Sequence, residues 1–390
     1  MHHESDRTVV LTGGTGFLGT FLLSGLLERG YHVTVLGRSS KSLSLSDRLS
    51  GIVRWLGTNP EARLSAVEAD FSKNHLGLDE TTYRHLCASA GKIIHCASDT
   101  SFSERDRKRV MQTNVNSLSV LLAFAADTLV DHLYYISSAY ACGRCEGICL
   151  ETPIANDSFT NVYEESKAQA ERIIRLRCKD CGIPLSILRP SIVYGHSETG
   201  MALNFNALYY VIRSLLYIRD IFIKDIAAHG GERSKKWGFQ LDDAGILYMP
   251  LDIYLPSGGT VNLIPVDYFV DSTISIMEHA GMDGIYHLTN DHPPDMSTLI
   301  EYTQRFLRLR GVRAICDISQ KTTPNPAEEL FDHFIDPYRP YLSDRRTFDR
   351  SRTKTVPGCI DSPPLTYEVF ERCMAYALAS NWGKAVGFPK

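Results

Sequence analysis

The chain has 390 residues, 44% of them hydrophobic and 22% charged, an ordinary balance for a globular protein of roughly two domains. Lys and Arg total 41 against 45 Asp and Glu, a formal net charge of −4, so no basic excess points to a nucleic-acid partner. High apolar content without triplet or heptad repeats excludes disorder, collagen and coiled coil.

The opening Met1–Arg7 lacks the charged, apolar and small-residue order of a secretory signal. The β-branched run Thr8–Thr12 predicts a first strand, followed by a glycine turn and an apolar helix, Phe17 to Arg29, closed by Gly30. Further strands are expected at His32–Leu36, Leu64–Ala69 and Lys92–Ala97. A helical stretch from about Arg105 to Thr128 then leads to a strand at His132–Ser137. A helix from about Tyr163 to Cys181 stops at Gly182 before a sixth strand, Leu185–Leu188. This alternation implies right-handed crossovers and an α/β, doubly wound parallel sheet of Rossmann type. After Gly195 the rhythm breaks: 203–226 is apolar, and 232–262 reads as loop around Gly258 and Gly259. Strand-like pieces return at Val261–Val266 and Gly284–Thr289, and the tail from Asp291 is rich in proline. The expected division is a Rossmann domain over 1–195 with returning segments at about 260–290, and a smaller substrate-binding cap from 196–259 and 291–390.

The apolar stretch Leu203–Ile226 is interrupted by Arg213, Arg219, Asp220 and Lys224, so no transmembrane segment is expected and a cytoplasmic location follows as the default. Ten cysteines then stay reduced. Cys142-x2-Cys145, Cys145-x3-Cys149 and Cys178-x2-Cys181 have zinc-like spacings, but Cys142 ends a strand-like run and Cys178 and Cys181 share a helix turn, so no metal site is expected.

The turn Gly13-Gly14-Thr15-Gly16-Phe17-Leu18-Gly19 lies directly between the first strand and the first helix. Its glycines permit a tight turn and let backbone approach a pyrophosphate, and the helix N-terminus offers free N–H groups and partial positive charge. With strand before and helix after, this reads as a dinucleotide site. At the end of the second strand, where an NAD-binding chain usually places an acid against the ribose, stands Gly37-Arg38-Ser39-Ser40-Lys41. Arg38 can fork onto a 2′-phosphate, which makes NADPH (NADP) the expected cofactor. Asp70 either accepts from an adenine amine or caps the next turn.

Tyr163 and Lys167, four apart, share one face of the helix before the sixth strand, and Ser137-Ser138 end the strand before it. A phenol of pKa about 10 needs a nearby cation to act as acid or base near neutrality, and Lys167 is that cation. The sequence resembles an extended short-chain dehydrogenase/reductase, most closely the fatty acyl-CoA reductase and thioester reductase (male-sterility-type) branch. The resemblance rests on Thr12–Gly19 (TGGTGFLG), His95–Ser98 (HCAS), Asn114-Val115-Asn116, Ile136–Tyr140 (ISSAY), Asn161–Lys167 (NVYEESK), Arg189–Gly195 (RPSIVYG), Asn262–Asp267 (NLIPVD) and His287–Asn290 (HLTN), and covers about residues 8–290. It implies Ser138, Tyr163 and Lys167 as catalytic residues. It also implies a cofactor crevice that includes Thr12, Phe71, His95, Cys96, Ala97, Ser98, Asn114, Pro190, Ser191 and Ile192.

The implied activity is NADPH-dependent reduction of an acyl thioester, on CoA or a carrier protein, to an aldehyde, with a second hydride giving the alcohol. The glycine turn begins at residue 13, so the acid is expected to arrive already activated. The apolar 203–226 segment reads as the cap's core helix, an acyl-tunnel wall or a peripheral membrane contact. Arg233, Lys235, Lys236 and Trp237 read more readily as a solvated basic loop than as a phosphate contact. The rivals are an extended reductase or epimerase acting on a nucleotide-sugar or hydroxyl/keto substrate, and a non-enzymatic NADPH-binding scaffold. The resemblance also implies a homodimer through the two long sheet-flanking helices.

Overall fold

Seven parallel strands, β1 (Thr8–Thr12), β2 (His32–Gly37), β3 (Leu64–Glu68), β4 (Lys92–His95), β5 (His132–Ile136), β6 (Leu185–Pro190) and β7 (Gly284–Leu288), form one sheet in a computed structural model of the chain. Residues 7–384 are described, apart from 256–258, 282, 322–324 and 343; Met1–Asp6 and Gly258 of the sequence reading lie outside them. The spatial order β7-β6-β5-β4-β1-β2-β3 reverses direction between β1 and β4, and at the carboxyl ends of these two strands a doubly wound sheet opens its ligand crevice. Burial follows position: β5 and β6 are buried at every residue, whereas the edge strand β3 is buried at none.

Helices α1 (Phe17–Glu28), α2 (Leu45–Leu56), α3 (Glu80–Ser89), α4 (Leu118–Thr128) and α5 (Val162–Cys181) are the crossovers. The stretch expected as one helix from 105 to 128 is broken into a 3₁₀ turn at Glu104–Asp106, a short helix at Arg107–Met111 and a π turn at Gln112–Asn116 before α4. One face of the sheet packs Val35 and Ile94 against Leu22, Leu26, Phe269 and Ile274; the other packs Ile93, Leu133 and Ile187 against Leu121, Phe124 and Ile174.

The cap is built on α6 (Leu208–His229), followed in the chain by α7 (Val266–His279), α8 (Met296–Leu307), α9 (Pro326–Ile335) and α10 (Tyr367–Ala379). Its core joins Ile212, Leu215, Ile218 and Phe222 of α6 to Leu299, Phe331 and Phe370. α7 instead packs on α1, and Leu263–Pro265 pairs with Ile192–Tyr194, so 263–288 returns to the sheet. Two parts of the sequence reading differ here. The loop-rich 232–262 contains an eight-residue strand, Leu247–Tyr254, paired in parallel with Leu309–Ile315. Pro250 sits within its register shift between Tyr248 and Leu251, and a proline inside a run argues against a strand from sequence alone. The stretch 347–360, grouped with the cap from sequence, packs Val356 and Cys359 against the sheet layer and pairs Thr347–Phe348 with Ile148–Cys149. Among the described residues no helix is long and apolar enough to cross a membrane.

Candidate active site

β1 ends in Thr12, and the chain turns at once through Gly13, whose φ of +74° belongs to the left-handed region. A Cβ on Gly13 would stand 2.6 Å from the Ala97 nitrogen, and one on Gly19 would stand 2.1 Å from the Gly13 carbonyl oxygen, so neither position has room for a side chain. Gly16 precedes α1 without a side-chain cap, which leaves first-turn N–H groups facing out beside Gly14, Thr15, Phe17 and Leu18. The buried Thr12 hydroxyl lies 2.8 Å from His95 Nδ1 and accepts from the Ala97 N–H at 3.3 Å, tying the turn to the end of β4. The cradle therefore has the form a dinucleotide pyrophosphate requires.

Around it, the residues expected to line the crevice take distinct places. Arg38 is exposed at the end of β2, and its carbonyl accepts from the Arg48 guanidinium at 2.9 Å. Arg48, on α2, is a second cation at this loop that sequence spacing did not reveal. Glu68 accepts from the Ser39 hydroxyl and from the Leu45 N–H, placing an acid beside the same loop. Asp70 accepts from the Ser72 N–H at 3.0 Å and its hydroxyl at 2.6 Å, which is turn capping; these bonds hold its carboxyl below the usual range. Phe71 and His95 have ring centroids 6.5 Å apart, and burial pushes the Cys96 thiol up to about 12. Asn114, buried in the π turn, donates to the Asp99 carbonyl and to Ser166, and accepts from the Asp99 N–H and the Ser98 hydroxyl. It thus locks the loop after β4 to the start of α5. Pro190 closes β6, Ile192 opens the next short strand, and the buried Ser191 hydroxyl between them has no hydrogen-bond partner among the described residues.

The three expected catalytic side chains converge. Asn161 caps α5 by accepting from the Glu164 N–H, so Tyr163 sits in the first turn and Lys167 one turn on. The Tyr163 hydroxyl shares a hydrogen bond with Ser138; burial pushes its pKa up to about 12, with the Ser138 bond acting in the opposite direction. Lys167 is buried, donates to the Ile136 carbonyl at 2.8 Å and lies 5.0 Å from the Tyr135 ring centre. Burial pulls its pKa down to about 8. The expected depression of the tyrosine pKa by Lys167 is not what this arrangement produces, because desolvation of the phenol dominates. Ser137 points away from the crevice and donates to Glu171, which pairs with Arg189 at 2.7 Å, both 2% exposed. The signal for this pair lay in the sequence as an arginine inside the apolar run of β6.

A narrow apolar cleft lies in the cap nearby. It is lined by Ile192, Leu208, Val211, Ile212, Leu215, Leu299, Ile300 and Phe331, and by Tyr338 and Tyr341 at one end. It encloses about 720 Å³ including its mouth, an apolar slot between α6, α8 and α9. Phe102 bridges the slot to the site, with ring centroids 5.9 Å from Tyr163, 5.6 Å from Tyr338 and 5.4 Å from Tyr341. The Tyr341 hydroxyl donates to Glu164 at 2.7 Å. These aromatic residues escape sequence reasoning because they come from segments far apart in the chain. Arg233, Lys235 and Lys236 are exposed on a short helix beyond the C-terminal end of α6, about 20 Å of helix from the cleft-lining turns.

Known proteins share this fold. Residues 11–273 match the family described as male sterility protein, an NAD-binding domain. A nonribosomal peptide synthetase of Malbranchea aurantiaca is 28% identical over 245 residues, 60% of this chain but 10% of that protein. The terminal R domain of the myxalamid PKS-NRPS pathway superposes with a TM-score of 0.71 at 22% identity, covering 97% of this chain and 92% of that one. A thiolation-reductase di-domain from an archaeal nonribosomal peptide synthetase gives 0.68 at 15% identity, with 97% and 76% covered. The chain thus spans about a tenth of the synthetase it matches, and the structural likenesses speak to the fold. A match across two thirds of the sequence, on a sheet with the crevice and glycine turn such a domain needs, makes the chain a member of the male sterility protein family of NAD-binding domains.

Proposed function

We propose that the chain is an NADPH-dependent reductase of an acyl thioester carried on a carrier-protein or CoA thiol. The observation that carries this reading is the apolar slot in the cap, whose Tyr338–Tyr341 end is joined to Tyr163 by the Phe102 ring; its lining suits an alkyl or acyl chain and is poor in the polar groups a sugar nucleotide would demand. The synthetase relative and the thiolation-reductase likeness favour a carrier-bound substrate over a free CoA ester.

The cofactor's pyrophosphate would rest on the turn Gly13–Gly19 and the α1 N-terminus, with Thr12, Ala97, Asn114 and Ser191 along the crevice. Arg38, with Arg48 beside it, supports a 2′-phosphate; Glu68 is the acid such a phosphate must avoid. A bound nicotinamide supplies the hydride. Ser138 and Tyr163 hydrogen-bond the thioester oxygen as negative charge develops, and Tyr163 releases its proton to it. Lys167 holds its positive charge behind Tyr135 and Ile136, at the edge of the same crevice. The resulting hemithioacetal collapses to aldehyde and free thiol; a second round would give the alcohol.

The test is NADPH oxidation with thiol release in the same sample, offering long-chain acyl-CoA and the same acyl group on a carrier protein's phosphopantetheine arm. Stoichiometric thiol release supports the reading, and preference for the carrier form sets the partner. Turnover of a nucleotide-sugar with none on either thioester would overturn it.

A further inference from the structure

Beyond the catalytic centre, the strap that follows Ser138 gathers three cysteines. It runs through a 3₁₀ turn, Ala139–Cys142, then through Gly143 at φ +67° and Gly147 at φ +81°, into the two-residue strand Ile148–Cys149. Asn156 donates to the Cys142, Arg144 and Ser158 carbonyls, and Arg346 donates to the Gly143 carbonyl at 2.7 Å, so the backbone is held from two sides. The sulfurs of Cys142, Cys145 and Cys149 all lie within 4.8 Å of one another; Cys149 Sγ is 3.2 Å from that of Cys142 and 2.7 Å from that of Cys145. Cys149 is buried and the other two are half-buried. Cys142 thus ends a 3₁₀ turn rather than the strand-like run of the sequence reading.

We propose that Cys142, Cys145 and Cys149 bind one zinc ion through three thiolates, with the fourth position open on the half-exposed Cys145 side. Tetrahedral zinc at about 2.3 Å from each sulfur needs sulfurs about 3.8 Å apart. That asks each cysteine to swing by an ångström or less, which side-chain rotation supplies. Three thiolates and a dication leave one negative charge, and the Arg346 guanidinium anchored on Gly143 stands beside it. A single disulfide would use two of the three sulfurs and leave the third without a role. Because Ile148–Cys149 pairs with Thr347–Phe348, the ion would fasten the segment after Ser138 to the returning tail.

The experiment purifies the chain in zinc-supplemented, chelator-free buffer and measures metal by inductively coupled plasma mass spectrometry, with thiols counted by alkylation before and after zinc removal. We expect one zinc per chain, and three additional thiols alkylated once it is removed. Cys149→Ser and Cys142→Ser should lose the ion, whereas Cys316→Ser, at an exposed site elsewhere, should keep it. Should the cluster variants fail to fold, cobalt(II) added to the reduced wild-type chain must give intense tetrahedral bands with thiolate charge transfer. Folded protein with neither zinc nor cobalt bands, or a native Cys145–Cys149 disulfide 2 Da lighter by intact mass, would overturn the proposal.

Discussion

Tyr163 keeps its proton: burial pushes its pKa up to about 12, so near neutrality the phenol enters a reaction as a donor. Reduction of a carbonyl needs a donor, and the reverse oxidation needs a phenolate that this setting disfavours. Tyr163→Phe should therefore lower the reductive kcat by about 10²–10⁴-fold while leaving cofactor affinity near wild type, measured by NADPH fluorescence titration. Lys167 makes a pH prediction. Its folded pKa is about 8 against an ordinary 10.5, so between those values the unfolded chain binds the proton and the native chain does not. Stability from this group thus rises with pH across that window, by roughly 3 kcal/mol at one pKa unit per 1.4 kcal/mol. Urea midpoints at pH 8 and pH 10 should show wild type gaining on Lys167→Met; equal shifts would contradict it. At β2, Arg38→Ala should weaken NADPH far more than NADH, and Arg48→Ala should do so less strongly.

Elements hold these residues through a few close approaches. Gly19→Ala places a methyl on the Gly13 carbonyl; the turn must open, and cofactor binding should fall at least tenfold in a variant that still melts cooperatively. Glu171→Gln removes one charge from the buried pair with Arg189, which costs about 3–5 kcal/mol and is read as a lower urea midpoint. The glycine turn and the six N-terminal strands were legible in the sequence, because β-branched runs broken by glycine and helix-length spacers have few other solutions. Leu247–Tyr254 was not, since Pro250 interrupts it and its partner Leu309–Ile315 lies far along the chain. The π turn was also hidden: Gln112–Asn116 has ordinary helical composition, and only the four hydrogen bonds of Asn114 explain the extra residue. The convergence of three cysteines is likewise set by backbone turns at Gly143 and Gly147 rather than by spacing.

For the whole molecule, the cap decides what the sheet can act on. Ile212 and Leu215 face both the cap core and the slot, so the 203–226 segment is core and wall at once. Leu215→Trp should fill the inner slot and raise KM for long acyl chains at least tenfold, while short chains retain near-normal kcat/KM. Equal losses for all lengths would mean the slot does not hold the chain. The Tyr338–Phe102–Tyr163 path explains why the site reads only in part from sequence: the sheet supplies the chemistry early in the chain, and the slot is finished by residues after 290.

The sheet order also sets a timetable for synthesis. β6 is complete at Pro190, but β7, which hydrogen-bonds its outer edge, begins only at Gly284. At about 5–20 residues per second a ribosome needs roughly 5–20 s to deliver it. Throughout that interval a strand that the finished fold buries at every residue presents an unpaired backbone edge, with the Arg189–Glu171 charges just behind it. The nascent chain becomes most exposed to wrong partners when about half of it already looks finished, and fragments ending before β7 should precipitate rather than fold.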